Sequence, residues 1–236
     1  MRPHAPFQPD DLEALDGLLS QADAVVPMQD IHAWITDHRV IGLRHDVDNA
    51  IEPAVEFAFW EAERGYRSTY FVLHTAPYWQ DKELLRASLQ MISSLGHEIG
   101  IHNNALAEAH RTGKDPRRIL VEAICELHEL GHRVRGTVAH GDPACYDNRG
   151  RLRFVNDQLF TECPREYPID VKPLPLSKFG LHYDANWLTR GGYLSDSGGE
   201  WSQPFAALER AFPLDGQLHM LVHPDWWQEA FQMVAA

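Results

Sequence analysis

The sequence predicts an α/β fold and, within that class, a deformed or incomplete (β/α) barrel. Short apolar segments rich in β-branched and aromatic residues alternate with segments of helical periodicity as far as Ala139. This alternation implies parallel strands joined by right-handed crossovers. Polar side chains follow the apolar segments, as they do at the carboxyl ends of strands in such folds. A doubly wound open sheet is the alternative, because the sequence does not show whether the sheet closes.

Strands are predicted where β-branched and aromatic residues cluster, and helices where apolar residues recur at intervals of three and four. Helix starts are marked by Pro53, Asp81 and Asp115, and glycines mark the helix ends. The predicted strands are 40–43, 68–73, 98–101 and 134–139, and the helices between them end at Gly65, Gly96 and Gly131.

The regions on either side of these units are less regular, and we predict one domain over residues 1–236. Within residues 1–39 we expect two helices that cover one end of the barrel. The first is capped by Asp10 or Asp11, and the second is a short helix at 31–35. The later candidates are strands at 179–183, 193–195 and 218–222, a helix at 151–160 and a last helix from Asp225.

The composition restricts the partners and the compartment. The 236 residues include 34 Asp and Glu against 21 Lys and Arg, a balance that argues against nucleic-acid binding and against anionic membrane surfaces. The first residues lack the apolar core of a signal peptide, and no stretch is long enough to span a bilayer. The three cysteines have no metal-type spacing and are expected to be free thiols. We therefore expect a cytoplasmic protein without an integral membrane segment.

The segment VIGLRHDVDN, residues 40–49, delivers several polar groups at the end of a buried strand. Such groups are costly to bury unless they bind a ligand or take part in a reaction. Asp46 and Asp48 are two residues apart, so in an extended chain both carboxylates point to the same side. They repel each other unless a proton or a cation lies between them. The alternative is a polar turn in which one aspartate caps the next helix.

The same signal recurs at the other strand ends. The residues that follow or end a predicted strand are Asp46, Asp48, His74, His102, His140 and His223. The carboxyl ends of parallel strands meet at one rim, where active sites are built. Carboxylate and imidazole together bind zinc and also accept manganese, iron or cobalt. A metal with a nearby carboxylate base and an imidazolium acid is suited to the hydrolysis of an ester or amide.

Three motifs resemble a known family. LRHDVD, GHEIGIHNN and LVHPDWW, in this order and spacing, resemble the polysaccharide deacetylases with the NodB-homology domain, of carbohydrate esterase family four. The resemblance extends from about Val40 to Trp227, and GHEIGIH is its most specific part. The DVD form of the first motif is similar to the branch linked to bacterial surface-polysaccharide and lipopolysaccharide O-antigen biosynthesis.

The resemblance implies a deformed barrel of the polysaccharide deacetylase type and a metal-dependent carbohydrate deacetylase. Such an enzyme removes an N-acetyl group from a sugar by hydrolysing a linear amide bond. By their positions in the motifs, Asp46 becomes the general base, Asp48 and His102 become metal ligands, and His223 becomes the general acid. The implied partner is an acetylated sugar or oligosaccharide.

The sequence departs from the family where the second motif has another ligand histidine, because that position is Leu106 here. We predict His140 as the replacement ligand, since neutral amides such as those of Asn103 and Asn104 bind transition metals poorly. The predicted cofactor is a divalent metal, with zinc preferred over manganese, iron or cobalt. The residues expected to contact the substrate are His74, Asn103, Asn104, Asp184 and Trp226.

Two other functions fit the same residues. Leu106 favours a catalytically inactive glycan-binding protein on a deacetylase scaffold. A different metal-dependent hydrolase on the same barrel, acting for example on a cyclic amide, is the other alternative.

Overall fold

The sheet has the strand order of a barrel that is open at one place. The computed structural model describes residues 6–33, 38–167, 169–188, 191–202 and 216–234. The strands are β1 (Ala24–Val26), β2 (Val40–Val47), β3 (Thr69–Leu73), β4 (Glu98–Asn103), β5 (Gly136–Ala139), β6 (Tyr183–Asp184), β7 (Gly192–Ser195) and β8 (Gln217–Val222). The α-helices are α1 (Pro9–Leu19), α2 (Glu52–Glu63), α3 (Lys82–Ser94), α4 (Ala105–Thr112), α5 (Pro116–Glu129) and α6 (Gln228–Val234).

All of the strand pairings in the sheet are parallel, and the order is β6-β5-β4-β3-β2-β8-β7. From β2 to β6, strands that are consecutive in the chain are neighbours in the sheet. Strands β7 and β8 follow on the other side of β2, as in a barrel. No pairing joins β6 to β7 in the parts of the chain that the structure describes. A doubly wound sheet would instead reverse its order in the middle. The predicted incomplete (β/α) barrel is therefore confirmed.

Strand β2 organises the barrel because it pairs on both edges. Strand β8 pairs with residues 40–45, so β1 and β3 share the other edge, at residues 40–42 and 44–47. Alternate side chains of β2 point to opposite faces. Ile41, Leu43 and Val47 contribute to the large core that includes Phe57 of α2.

The inner face of the barrel has a small apolar floor. Phe71 of β3 is the register partner of Asp46 and lies in a cluster with Met28, Val138 and Tyr183. A Cβ atom at Gly100 would collide with the ring of Phe71. Phe71 and its neighbours thus fill the barrel interior below the rim, and the buried polar pair Thr69 and Glu98 lies at the amino ends of the strands.

Several elements differ from the sequence-based predictions. Strand β2 continues to Val47, beyond the predicted end at Leu43, because its polar residues are paired inside the protein. Helix α1 is capped by Gln8, whose backbone N–H donates to Asp11 in the first turn at 2.7 Å. A 3₁₀ helix, Asn156–Leu159, stands where a longer helix was predicted.

Further differences concern short elements. Strand β1 and helix α4 were not predicted, because three and eight residues give little periodicity. The predicted helix at 31–35 is in part the 3₁₀ helix Met28–Ala33, and Trp34 and Ile35 lie outside the described residues. Among the described helices, none has the length and apolar content needed to cross a bilayer.

Candidate metal centre

Three potential ligand atoms converge at the carboxyl end of the sheet. Asp48 and His140 directly follow β2 and β5, and His102 lies near the end of β4. Asp48 Oδ1 is 3.3 Å from His102 Nε2 and 3.5 Å from His140 Nδ1. The two ring nitrogens are 3.2 Å apart. The structure thus brings together the three residues that were predicted to hold a metal.

The triangle of these atoms fits a small divalent cation. Ligands about 2.0–2.1 Å from a tetrahedral zinc ion are separated by about 3.3–3.4 Å, which matches the three distances. Asp48 Oδ1 is buried and receives no hydrogen bond. His102 Nδ1 donates to the carbonyl of Val138 at 3.1 Å, so the lone pair of Nε2 faces the site. A cation at this position would contact Asp48 Oδ1, which accepts no hydrogen bond, and the lone pair of His102 Nε2.

The charges of the site favour an ionised aspartate. Burial works to raise the pKa of the Asp48 carboxyl, but contact with His102 and the charges of the site histidines lower it. Burial works to lower the pKa of His102, but Asp46 and Asp48 raise it. Burial and the charge of His102 lower the pKa of His140 to about 4. His140 is therefore neutral at pH 7, the form in which imidazole binds metals.

Asp46 lies beside the triangle with one oxygen uncommitted. Its Oδ2 is 3.7 Å from His102 Nε2 and accepts a hydrogen bond from Arg44 Nη2 at 3.2 Å. Arg44 also donates to Asn186 Oδ1 at 3.0 Å, and this bond fixes the guanidinium. Asp46 Oδ1 is buried without a partner. The arginine offsets the negative charge while the free oxygen remains able to accept a proton.

His223 follows β8 and is held by a buried aspartate. Its Nδ1 is 2.6 Å from Asp196 Oδ1, and its backbone N–H donates to the same carboxylate at 3.0 Å. Trp227 Nε1 donates to Asp196 Oδ2 at 2.9 Å. Burial works to lower the pKa of His223, but Asp196 and then Asp46 and Asp48 raise it to about 9. His223 therefore carries a proton at neutral pH.

Three residues that were predicted to contact substrate are buried in hydrogen-bonded positions. Asn103 donates to the carbonyl of Asn156 at 3.0 Å, and Asn104 Nδ2 donates to Asp142 Oδ2 at 2.7 Å. His74 Nε2 accepts from the backbone N–H of Asn104 at 3.0 Å, and burial lowers the pKa of His74 to about 3. These side chains connect the loops below the rim.

The other two predicted substrate contacts, Asp184 and Trp226, differ in burial. Asp184 is buried at the end of β6 and accepts from Asn186 N at 2.9 Å. Burial raises the pKa of Asp184 to about 8, with further contributions from Asp157 and Asp46. Trp226 is 37% exposed and lies three residues after His223 in the chain.

Two residues of the site were not assigned a role from the sequence. Asp196 directly follows β7, so the strand-end signal that selected the histidines was also present there. Arg44 is part of the first motif, but its contact with Asp46 depends on β2 continuing past Leu43. Leu106, where the resemblance has a ligand histidine, is buried in α4.

Comparisons with known proteins give similarity at the level of structure alone. No protein-family model matches the sequence, and no curated protein matches it. A family 4 carbohydrate esterase from Streptomyces lividans is 14% identical, with 83% of this chain and 85% of that chain covered and a TM-score of 0.42. PdaA from Bacillus subtilis, also a family 4 carbohydrate esterase, is 14% identical over 94% and 82% of the two chains, with a TM-score of 0.43.

A third solved structure is a family 4 pseudoenzyme from Bacillus anthracis. It is 10% identical, with 85% of this chain and 61% of that chain covered and a TM-score of 0.41.

Proposed function

We propose that this protein is a metal-dependent hydrolase that removes an N-acetyl group from a sugar. The observation that carries the proposal is the triangle of Asp48, His102 and His140, with 3.2–3.5 Å between the ligand atoms. A free carboxylate oxygen of Asp46 and the protonated ring of His223 accompany this triangle. One base, one acid and a cation site are the components that amide hydrolysis needs.

Each residue of the site has a separate role in the proposed reaction. Asp48, His102 and His140 would hold a divalent metal, which would supply a Lewis acid able to lower the pKa of water and polarise a carbonyl. Asp46 accepts a proton from the water that attacks the acetyl carbon. His223 donates its proton to the amide nitrogen as the carbon–nitrogen bond breaks. The products are acetate and a free amine, and the water supplies the oxygen.

The substrate class rests on the resemblance of the three motifs to polysaccharide deacetylases. The DVD form of the first motif favours surface-polysaccharide or O-antigen biosynthesis in the cytoplasm. Trp226, exposed next to His223, offers an aromatic face of the kind on which sugar rings stack. Zinc is the preferred metal for two imidazoles and a carboxylate, with manganese, iron and cobalt as alternatives.

The experiment is an acetate-release assay on purified protein with a panel of N-acetylated sugars and cyclic amides. The protein is tested after chelation and after addition of zinc or cobalt. We expect acetate release from one or more sugars with metal and none after chelation. Saturable glycan binding without acetate release by the metal-loaded protein would support the inactive glycan-binding alternative, which Leu106 favours. Turnover of cyclic amides alone would contradict the substrate class.

A further inference from the structure

The two histidines of the metal centre are held in different ways. The ring of His102 is fixed through its second nitrogen, which donates to the carbonyl of Val138. The ring of His140 presents Nδ1 to the site, and its Nε2 makes no hydrogen bond within the described part of the chain. Metal-bound histidines usually donate through their second nitrogen, and this bond sets the orientation of the ring. The position of His140 must therefore be set through its backbone.

The backbone of His140 is fixed at both of its polar groups. Its N–H donates to the carbonyl of Asn103 at 2.9 Å, which continues the pairing of β4 with β5. Its carbonyl accepts from Asn156 Nδ2, also at 2.9 Å. The first bond belongs to the sheet, whereas the second comes from a side chain in a different part of the chain.

Asn156 is fully buried, and both polar atoms of its side chain and its carbonyl are hydrogen-bonded. Nδ2 also donates to Asn104 Oδ1 at 3.1 Å, and Oδ1 accepts from the backbone N–H of Ala107 at 3.0 Å. Its carbonyl accepts from Asn103 Nδ2 at 3.0 Å. Asn156 therefore connects the end of β4, the first turn of α4 and the loop that carries His140.

We infer that Asn156 is a positioning residue that fixes His140 as the third ligand and thereby sets the metal affinity of the site. This inference rests on the proposed metal centre. Asn156 fixes the backbone of His140, whose ring nitrogen Nε2 has no hydrogen bond in the described part of the chain to orient it. Asn156 also anchors α4, the helix that carries Leu106. Asn156 therefore links α4 to the residue that we propose as the third ligand.

The test compares Asn156→Asp with Gln158→Glu. The first change keeps the size of the side chain and an acceptor for Ala107, but removes the donor to His140 and to Asn104. Gln158 lies in the same 3₁₀ helix, is 4% exposed, and donates to the carbonyl of Tyr167 at 2.8 Å. It has no contact with His140, so Gln158→Glu controls for a new carboxylate in this buried helix.

The measurement is a cobalt titration followed by the visible absorption spectrum, with unfolding in chelator as a check of folding. We expect Asn156→Asp to raise the cobalt Kd about 10–100-fold and to change the spectrum, the range found when support of a ligand is lost. Gln158→Glu should keep the Kd and the spectrum of the wild type. If the aspartate variant does not fold, Asn156→Ala with Gln158→Ala gives the same comparison without added charge.

Equal Kd values and spectra for the wild type and both variants would overturn the role of Asn156 and leave the metal centre standing. A wild-type protein that binds no cobalt would overturn the metal centre and this role together. The two results are distinguishable because the wild type is titrated first.

Discussion

Strand β2 carries two histidine–carboxylate clusters on its opposite faces, and they differ in how their carboxylates are satisfied. On the outer face, His45 contacts Glu61 of α2, with 2.6 Å between Nε2 and Oε1. On the inner face, Asp48 lies with His102 and His140. Both clusters combine carboxylate with imidazole, so residue type does not distinguish them. The side chains of His45 and Glu61 are fully buried, whereas those of Asp48 and His140 are 24% and 18% exposed.

The hydrogen bonds do distinguish them. Glu61 accepts from His45, from Ser68 Oγ at 2.6 Å and from Tyr70 at 2.9 Å, so both of its oxygens are saturated. Asp48 Oδ1 receives no hydrogen bond and faces two ring nitrogens. A saturated carboxylate joins a helix to the sheet, whereas a carboxylate without donors beside two imidazoles forms a site for a cation.

Replacing the carboxylate by an amide should therefore affect metal binding in the inner cluster and stability in the outer cluster. The larger effect is expected on the inner face. Asp48→Asn removes the anionic ligand, so we expect loss of bound metal and of activity to background. Metal content by atomic absorption and acetate release measure these effects. Stability in chelator should fall only slightly, because Asp48 Oδ1 accepts no hydrogen bond and the side chain is 24% exposed beside His102. Stoichiometric metal in this variant would exclude Asp48 as a ligand.

On the outer face, Glu61→Gln should reduce stability and leave metal binding intact. A glutamine cannot accept from all three buried donors of Glu61, and a buried donor left without an acceptor costs about 1–3 kcal/mol. Urea unfolding in chelator measures the loss, and the metal content of the folded protein should equal that of the wild type. If Glu61→Gln lost its metal and kept its stability, the outer cluster would be the metal site and the assignment of the two clusters would be reversed.

The smallest effect is a shift in pH dependence at His223. Asp196 helps to raise the pKa of His223 to about 9, and a general acid acts only while it is protonated. Wild-type kcat should therefore decline as pH rises through about 9. Asp196→Asn removes the negative partner, so its kcat should decline at a lower pH. The pH profile of kcat measures the shift, with metal content as the control, and an unmoved alkaline limb would contradict the role of Asp196.

The sequence predicted most of the rim because strand ends are local features. A short apolar segment followed by a polar residue identifies Asp48, His102, His140 and His223 without knowledge of the strand partners. The sequence pattern did not predict the full length of β2. The charged side chains on the inner face of β2 are tolerated only because they contact residues far along the chain. Arg44 contacts Asn186, for example, which is 142 positions away.

Residues that support the site from irregular segments were not predictable in this way. Asn156 lies in a short 3₁₀ helix, and its importance depends on contacts with β4, α4 and the loop after β5. Asp196 had the strand-end signal, but its contact with His223 depends on the pairing of β7 with β8. Long-range pairing, rather than local pattern, decides both cases.

In the proposed metal centre, His140 is the third ligand, because position 106 is a leucine. X-ray absorption of the zinc-loaded protein tests this directly, because the outer-shell scattering of imidazole counts the bound histidines. We expect two bound histidines in the wild type and one in His140→Ala. One histidine in the wild type, or two in the variant, would contradict this assignment.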